Sequence, residues 1–147
     1  MTPPKTIACC SLATLIALYV VGAVSDTPGS LRHEVQTLPL WFPIVAGFQR
    51  KEIAKWSALP CMLFWLAIMG FIWLFLLGWA RVVSGRFSPT EIAMTIVIGV
   101  AAIVGMAASA RWRTSVRWST AAATFVLFAA LQALAMRLSL IPYIARR

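Results

Sequence analysis

The chain has 147 residues, of which 61% are hydrophobic and 12% charged. Soluble domains are nearer half apolar and a quarter charged, so this composition excludes a water-soluble globule and marks an integral membrane protein. Thirteen Lys and Arg against four acids give a net charge of +9, but these cations sit at the ends of apolar runs among tryptophans. That is how a membrane protein meets lipid headgroups, anionic ones included, and the expectation is no nucleic-acid partner.

Crossing a hydrocarbon core of about 30 Å takes roughly 20 helical residues. Four runs qualify, at 7–24, 58–80, 91–110 and 118–136. The expected fold is an all-α integral membrane protein, a four-transmembrane-helix bundle in a single domain, 1–147. An interfacial or re-entrant segment, 38–56, is expected between helices 1 and 2, and an interfacial tail at 138–147.

The first run follows Lys5 and ends on Ala23-Val24-Ser25, which would pass as a signal-peptide cleavage site. Its length is that of a true span, so a retained helix is expected. Cys9, Cys10 and Cys61 all lie in or at the edge of spans. Their odd number argues against a disulfide framework and their spacing holds no metal, so they read as small packing residues. Cys10 and Thr14, four apart, share one helix face.

Asp26-Thr27-Pro28-Gly29 is a turn sequence. Beside it stand Arg32, His33 and Glu34, and His33 is the chain's only histidine. Catalysis here would use His33 as general base with Asp26 or Glu34 orienting it. A local cluster of solvated charges explains the same residues without a tertiary partner, and weighs more. His33-Glu34-Val35-Gln36-Thr37 lacks the second histidine of a zinc-protease helix. One histidine cannot give two axial haem ligands, so neither metal nor cofactor is expected.

Residues 38–48 are apolar but number only eleven, and Pro39 and Pro43 are expected to forbid a clean helix. Trp41 and the abrupt change to Gln49-Arg50-Lys51-Glu52 favour a segment lying in the interface. Glu52 is expected to pair with Lys55, three residues on.

In the second run, Phe64, Phe71, Phe75 and Trp79 recur at helical spacing and form a candidate apolar ligand face for a quinone, sterol or lipid tail. Packing or lipid contact is the simpler reading, since no polar group converges on them. Ser88-Pro89-Thr90-Glu91 is a capping box that starts the third helix and accounts for Glu91, the acid nearest the membrane. The third run repeats small groups at Ala93, Ala101, Gly105 and Ser109, four or eight apart, a pattern that lets helices approach closely. Thr124 and Gln132 of the fourth run share a face, and Gln132 is expected to hydrogen-bond across helices.

Headgroup anchoring falls to Trp41, Arg50, Lys51, Lys55, Arg111, Trp112, Arg113, Arg117 and Trp118. With four spans both termini share one side, and counting Lys and Arg by side barely separates the two orientations. The expectation is a bacterial inner membrane with both termini cytoplasmic.

Because the spans hold hydroxyls and one glutamine rather than acids or histidine, contacts are favoured over catalysis. The leading functional expectation is an accessory or assembly subunit, or a homo-oligomer, working through helix and lipid contacts. The alternative is a small dimeric transporter of a neutral or hydrophobic solute. Length, span count and balanced cations resemble the small multidrug-resistance class at that coarse level. That class uses a carboxylate within the first span, where this chain has Leu12, Ala13, Thr14 and Leu15. A lipid enzyme built on His33 is the third reading.

Overall fold

A computed structural model of the chain describes residues 1–25, 31–79 and 87–145. The turn beginning at Asp26, the end of the second run at Ala80, and Arg146 and Arg147 of the tail lie outside the described residues. Six helices form: α1 (Pro3–Ser25), α2 (Arg32–Phe48), α3 (Ile53–Leu76), α4 (Pro89–Arg111), α5 (Trp118–Ser139) and the short α6 (Pro142–Ala145). Among the described residues there is no strand. The helices α1, α3, α4 and α5, of 22 to 24 residues, are long and apolar enough to cross a membrane. The protein is therefore membrane-embedded and all-helical.

Local chemistry sets several boundaries. Ser88 stays extended (φ −71°, ψ 157°), and its hydroxyl accepts the Glu91 backbone N–H at 3.3 Å. The Glu91 carboxylate returns to the Ser88 N–H at 2.6 Å, so two of the orphan donors at the start of α4 are satisfied, with Pro89 at the first helical position. At the end of α3, Gly78 turns left-handed (φ +76°) while its N–H and that of Trp79 bond back to Phe75 and Leu74. This closes the helix as a Schellman motif and stops it at Leu76, short of the end of the apolar run.

The largest departure from expectation is α2. Residues 32–48 are one unbroken helix in spite of Pro39 and Pro43. Each ring removes one N–H from the ladder, leaving the carbonyls of Val35 and Pro39 without their usual donors. The two prolines are four apart, fall on the same face and are both buried, so packing against neighbours offsets the lost bonds. Next to the freed Val35 carbonyl the backbone takes a bond from outside, as Gln132 Nε2 donates to the Gln36 carbonyl at 3.1 Å.

Contacts at both ends show α2 running antiparallel to α1. Gly22 lies against His33 near one end, and Gly47 against Ala8 and Pro4 near the other. The fourteen residues between those contacts on each helix correspond to about 21 Å of shared height. Helix α1 also packs on α4, α4 on α3, α3 on α5 and α5 on α2, and α3 touches all four of its long neighbours. Leu15 and Leu18, Leu40 and Ile44, Trp65, Ile98 and Phe128 meet in a core to which all five long helices contribute. A second cluster of Ile7, Cys10, Ala58, Met62, Ala101 and Ala102 joins α1, α3 and α4. Alternation of direction places the starts of α1, α3 and α5 at one end, and their finishes at the other.

The α1–α2 contact depends on the missing side chain of Gly47. A Cβ there would stand 2.9 Å from both the Ala8 Cβ and the Pro4 carbonyl oxygen. Gly47→Ala should therefore cost about 1–3 kcal/mol through forced separation of two backbones. Gly70→Ala on α3, where a Cβ meets nothing within 4 Å, should be neutral or stabilise by up to about 1 kcal/mol. Thermal unfolding of the two variants in detergent checks the pair; equal behaviour would contradict this packing.

Candidate functional site

Ser11, Thr14, Gln36, Thr37, Ser57, Thr95, Ser109, Gln132 and Ser139 are buried within the helices. On α2 the residues His33, Gln36 and Thr37 are buried, at the i, i+3, i+4 spacing of one face. The outward stripe of the same helix is Glu34, Leu38, Trp41, Phe42, Val45 and Phe48. From Leu38 onward that stripe is entirely apolar.

The inward face of α2 meets α5 through a polar seam. Gln36 Nε2 donates to Ser139 Oγ at 2.9 Å and lies 3.4 Å from Met136 Sδ. Ser139 Oγ in turn donates to the Met136 carbonyl at 2.7 Å. Gln132 is fully buried and donates to the Gln36 backbone. Its Oε1, the Trp65 indole N–H and the Ser11 hydroxyl are buried polar atoms with no hydrogen-bond partner among the described residues. Toward α1, the Thr37 hydroxyl donates to the Glu34 carbonyl at 2.8 Å and lies 3.5 Å from the Tyr19 hydroxyl, too long for a strong bond. A backbone bond from the Leu31 N–H to the Ile144 carbonyl at 3.1 Å ties the C-terminal turn to the start of α2.

The catalytic candidates are not brought together as a solvent-facing pair. His33 is buried against Gly22 of α1, whereas Glu34 is exposed one residue on. Asp26 lies outside the described residues. Among the described residues no three His, Cys, Asp or Glu side chains cluster so as to hold a metal ion.

The small-residue stripe of α4 divides. Ala101, Gly105 and Ser109 are buried, while Ala93 is exposed. A Cβ at Gly105 would collide with the Met62 side chain and approach Cys10 Cβ to 3.2 Å. The Ser109 hydroxyl donates to its own helix, at the Gly105 carbonyl (2.8 Å), and Thr124 does the same at the Thr120 carbonyl (2.8 Å). Of the polar packing candidates, only Gln132 bonds across helices. The aromatic face also divides: Phe64 packs against the core, Phe71 is exposed, and Phe75 lies 6.1 Å from Phe87 between ring centroids. Trp79 falls beyond the left-handed Gly78 and leaves the helical register.

Eight of the nine anchoring candidates meet at one end, where the α2–α3 and α4–α5 connections are fastened together. Glu52 Oε2 accepts from the Ser115 N–H at 2.7 Å and the Ser115 hydroxyl at 2.8 Å. This replaces the expected Glu52–Lys55 pair. Lys55 Nζ instead donates to the Trp112 carbonyl at 2.8 Å, at the C-terminal end of α4 where the helix dipole favours a cation. Trp56 Nε1 donates to Thr114 Oγ1 at 3.3 Å, and its ring stands edge-on to Trp118 at 6.3 Å. Arg50, Lys51, Arg111, Arg113, Arg117 and Trp118 are exposed around these bonds. The ninth, Trp41, is apart from them, exposed midway along α2.

Ser139 and Trp65 carry no signal in the local sequence, and Gln36 and Thr37 stand there only within the incomplete zinc-helix pattern. The i, i+3, i+4 spacing of His33, Gln36 and Thr37 was the available signal. No protein-family description, curated protein or solved structure matches the chain.

A double-mutant cycle of Gln36→Leu and Ser139→Ala should give a coupling of about 0.6–1.7 kcal/mol, the range found for hydrogen bonds between membrane helices. Unfolding in mild detergent measures it, and strictly additive losses would show that the bond contributes nothing.

Proposed function

We propose that the protein works through contacts made in the plane of the membrane, as an accessory or assembly subunit or as a homo-oligomer. The observation that carries this reading is the direction of its side chains. Gln36, Gln132 and Ser139 bond between helices, and Thr14, Ser57, Thr95 and Ser109 bond within them. The outward face of α4 carries Ala93, Ile96, Val97, Val100, Ile103 and Val104 and no aromatic side chain. Short and β-branched groups lose little rotamer freedom on packing and permit close approach, which suits a partner helix.

The same reading makes α2 a fifth crossing in place of an interfacial or re-entrant segment. Its 17 residues extend about 25 Å and share the height of α1. A helix lying in the interface turns its polar face to water; α2 turns its polar face to protein and its apolar stripe outward. Five crossings place the termini on opposite sides of the membrane.

In a background lacking Cys9, Cys10 and Cys61, Leu31→Cys and Lys51→Cys should label with an impermeant maleimide from opposite sides of the membrane. Labelling from one side would remove the fifth crossing. The contact reading is tested separately by mass. Purified in mild detergent, the protein should run above its 16.1 kDa monomer after correction for detergent, or bring a stoichiometric partner. A lone monomer would end it.

Transport of a neutral solute is the second reading, favoured by the unpartnered Gln132 Oε1 and Trp65 Nε1 in the interior. It predicts solute flux into reconstituted vesicles that is lost in Trp65→Phe, which removes the N–H donor together with part of the aromatic bulk. Flux unaltered by that variant counts against it.

A further inference from the structure

We propose that the end of the molecule where the α2–α3 and α4–α5 connections meet is a preorganised docking surface for anionic phospholipid headgroups. The proposal does not rest on the contact reading of the function, since it needs neither an oligomer nor a partner protein.

Three observations carry it. The first is rigidity. The two connections are joined by Glu52 to Ser115, Lys55 to the Trp112 carbonyl and Trp56 to Thr114. Four short side chain contacts thus hold cations from distant parts of the chain on one surface, and little ordering is left for a ligand to impose. The second is charge. Glu52 is the one acid of these two connections, and Ser115 occupies its Oε2 with two hydrogen bonds. Arg50, Lys51, Arg111, Arg113 and Arg117 are left exposed around it.

The third is a backbone choice. Helix α2 ends in the same Schellman arrangement as α3, with the Arg50 N–H on the Gly47 carbonyl at 3.0 Å and the Lys51 N–H on the Ala46 carbonyl at 2.9 Å. The left-handed position that α3 fills with Gly78 (φ +76°) is filled in α2 by Arg50 (φ +57°). An arginine is strained there and a glycine is not. Strain held at an exposed position points to use of the side chain.

Guanidinium groups present a planar fork that matches the two free oxygens of a phosphodiester. These arginines ring the end of apolar helices, and Trp118, exposed beside them, is suited to the headgroup level. A ligand with both phosphate and acyl chains meets both parts of this surface; a soluble anion meets one. Because anionic lipid is concentrated in the cytoplasmic leaflet, the same contact would hold this end, with the start of α1, on the cytoplasmic side.

Native mass spectrometry of the full-length protein, offered equal amounts of phosphatidylglycerol and phosphatidylcholine, tests the idea. Phosphatidylglycerol should be retained in preference, and each cation removed (Arg113→Gln, Arg117→Gln) should lower that preference up to about fivefold. Arg137→Gln, at the far end of α5, should leave it unchanged. Arg50→Gly separates charge from folding: it should raise the melting temperature and still weaken phosphatidylglycerol retention. Equal retention of the two lipids by the native protein would overturn the proposal. So would a loss in Arg137→Gln matching that in Arg113→Gln, displacement of the lipid by glycerol phosphate alone, or its displacement by a short RNA at physiological salt.

Discussion

A hydrocarbon interior offers no hydrogen-bond partner, so every polar group carried into it must be met by the protein itself. Helix α2 buries several polar groups against its neighbours: His33, Gln36 and Thr37 on one face, and two carbonyls deprived of donors by Pro39 and Pro43. The arrangement of its neighbours follows from that load. Ser139 and Gln132 of α5 supply the bonds on one flank, and Gly22 and Gly47 set how closely α1 can approach on the other. Removing the Ser139 or Gln132 partner leaves a buried polar group of α2 without its bond, at a cost above the value of the bond itself.

This constraint also decides how His33 is read. Consecutive helical residues are separated by about 100° around the axis. When His33 faces α1, Glu34 must therefore face away, and it does. A histidine and carboxylate adjacent in sequence cannot orient one another while the helix holds. His33 sits with Gln36 and Thr37 on the face that joins helices.

What could be read from the sequence was what local chemistry determines. Ser88, Pro89 and Glu91 form a cap because three side chains within one turn suffice, and the four long apolar helices follow from run length alone. The reading of α2 failed for two reasons. Burial of Pro39 and Pro43 offsets their missing donors, and the helix begins at Arg32, so its polar first turns extend the apolar residues 38–48. The small-residue stripe of α4 shows a third limit. A strict four-residue repeat advances about 40° beyond a full turn at each step, so Ala93 and Ser109 stand some 160° apart. The buried face instead runs through Thr95, Ile98, Ala102, Gly105 and Ser109, alternating steps of three and four, with Ala101 beside it. For a long-range bond such as Gln36 to Ser139, 103 residues distant, local spacing marks the face that Gln36 shares but not its partner.

The same drift separates two kinds of outward surface. On α2 and α3 the outward side chains include Trp41, Phe42, Phe48 and Phe71, large rings that stand away from the backbone. Such a surface is rough, and fluid acyl chains conform to it without a matching shape. On α4 the groups rotated out of the core between Ala93 and Val104 are Ala93, Ile96, Val97, Val100, Ile103 and Val104, aliphatic and without a ring. A smooth ridge of this kind gives acyl chains no more contact than any other helix would. A second helix gains from it, because backbones can come close enough for dispersion and Cα–H contacts to act along the whole length. On the contact reading proposed above, α4 is the face that a second helix would use.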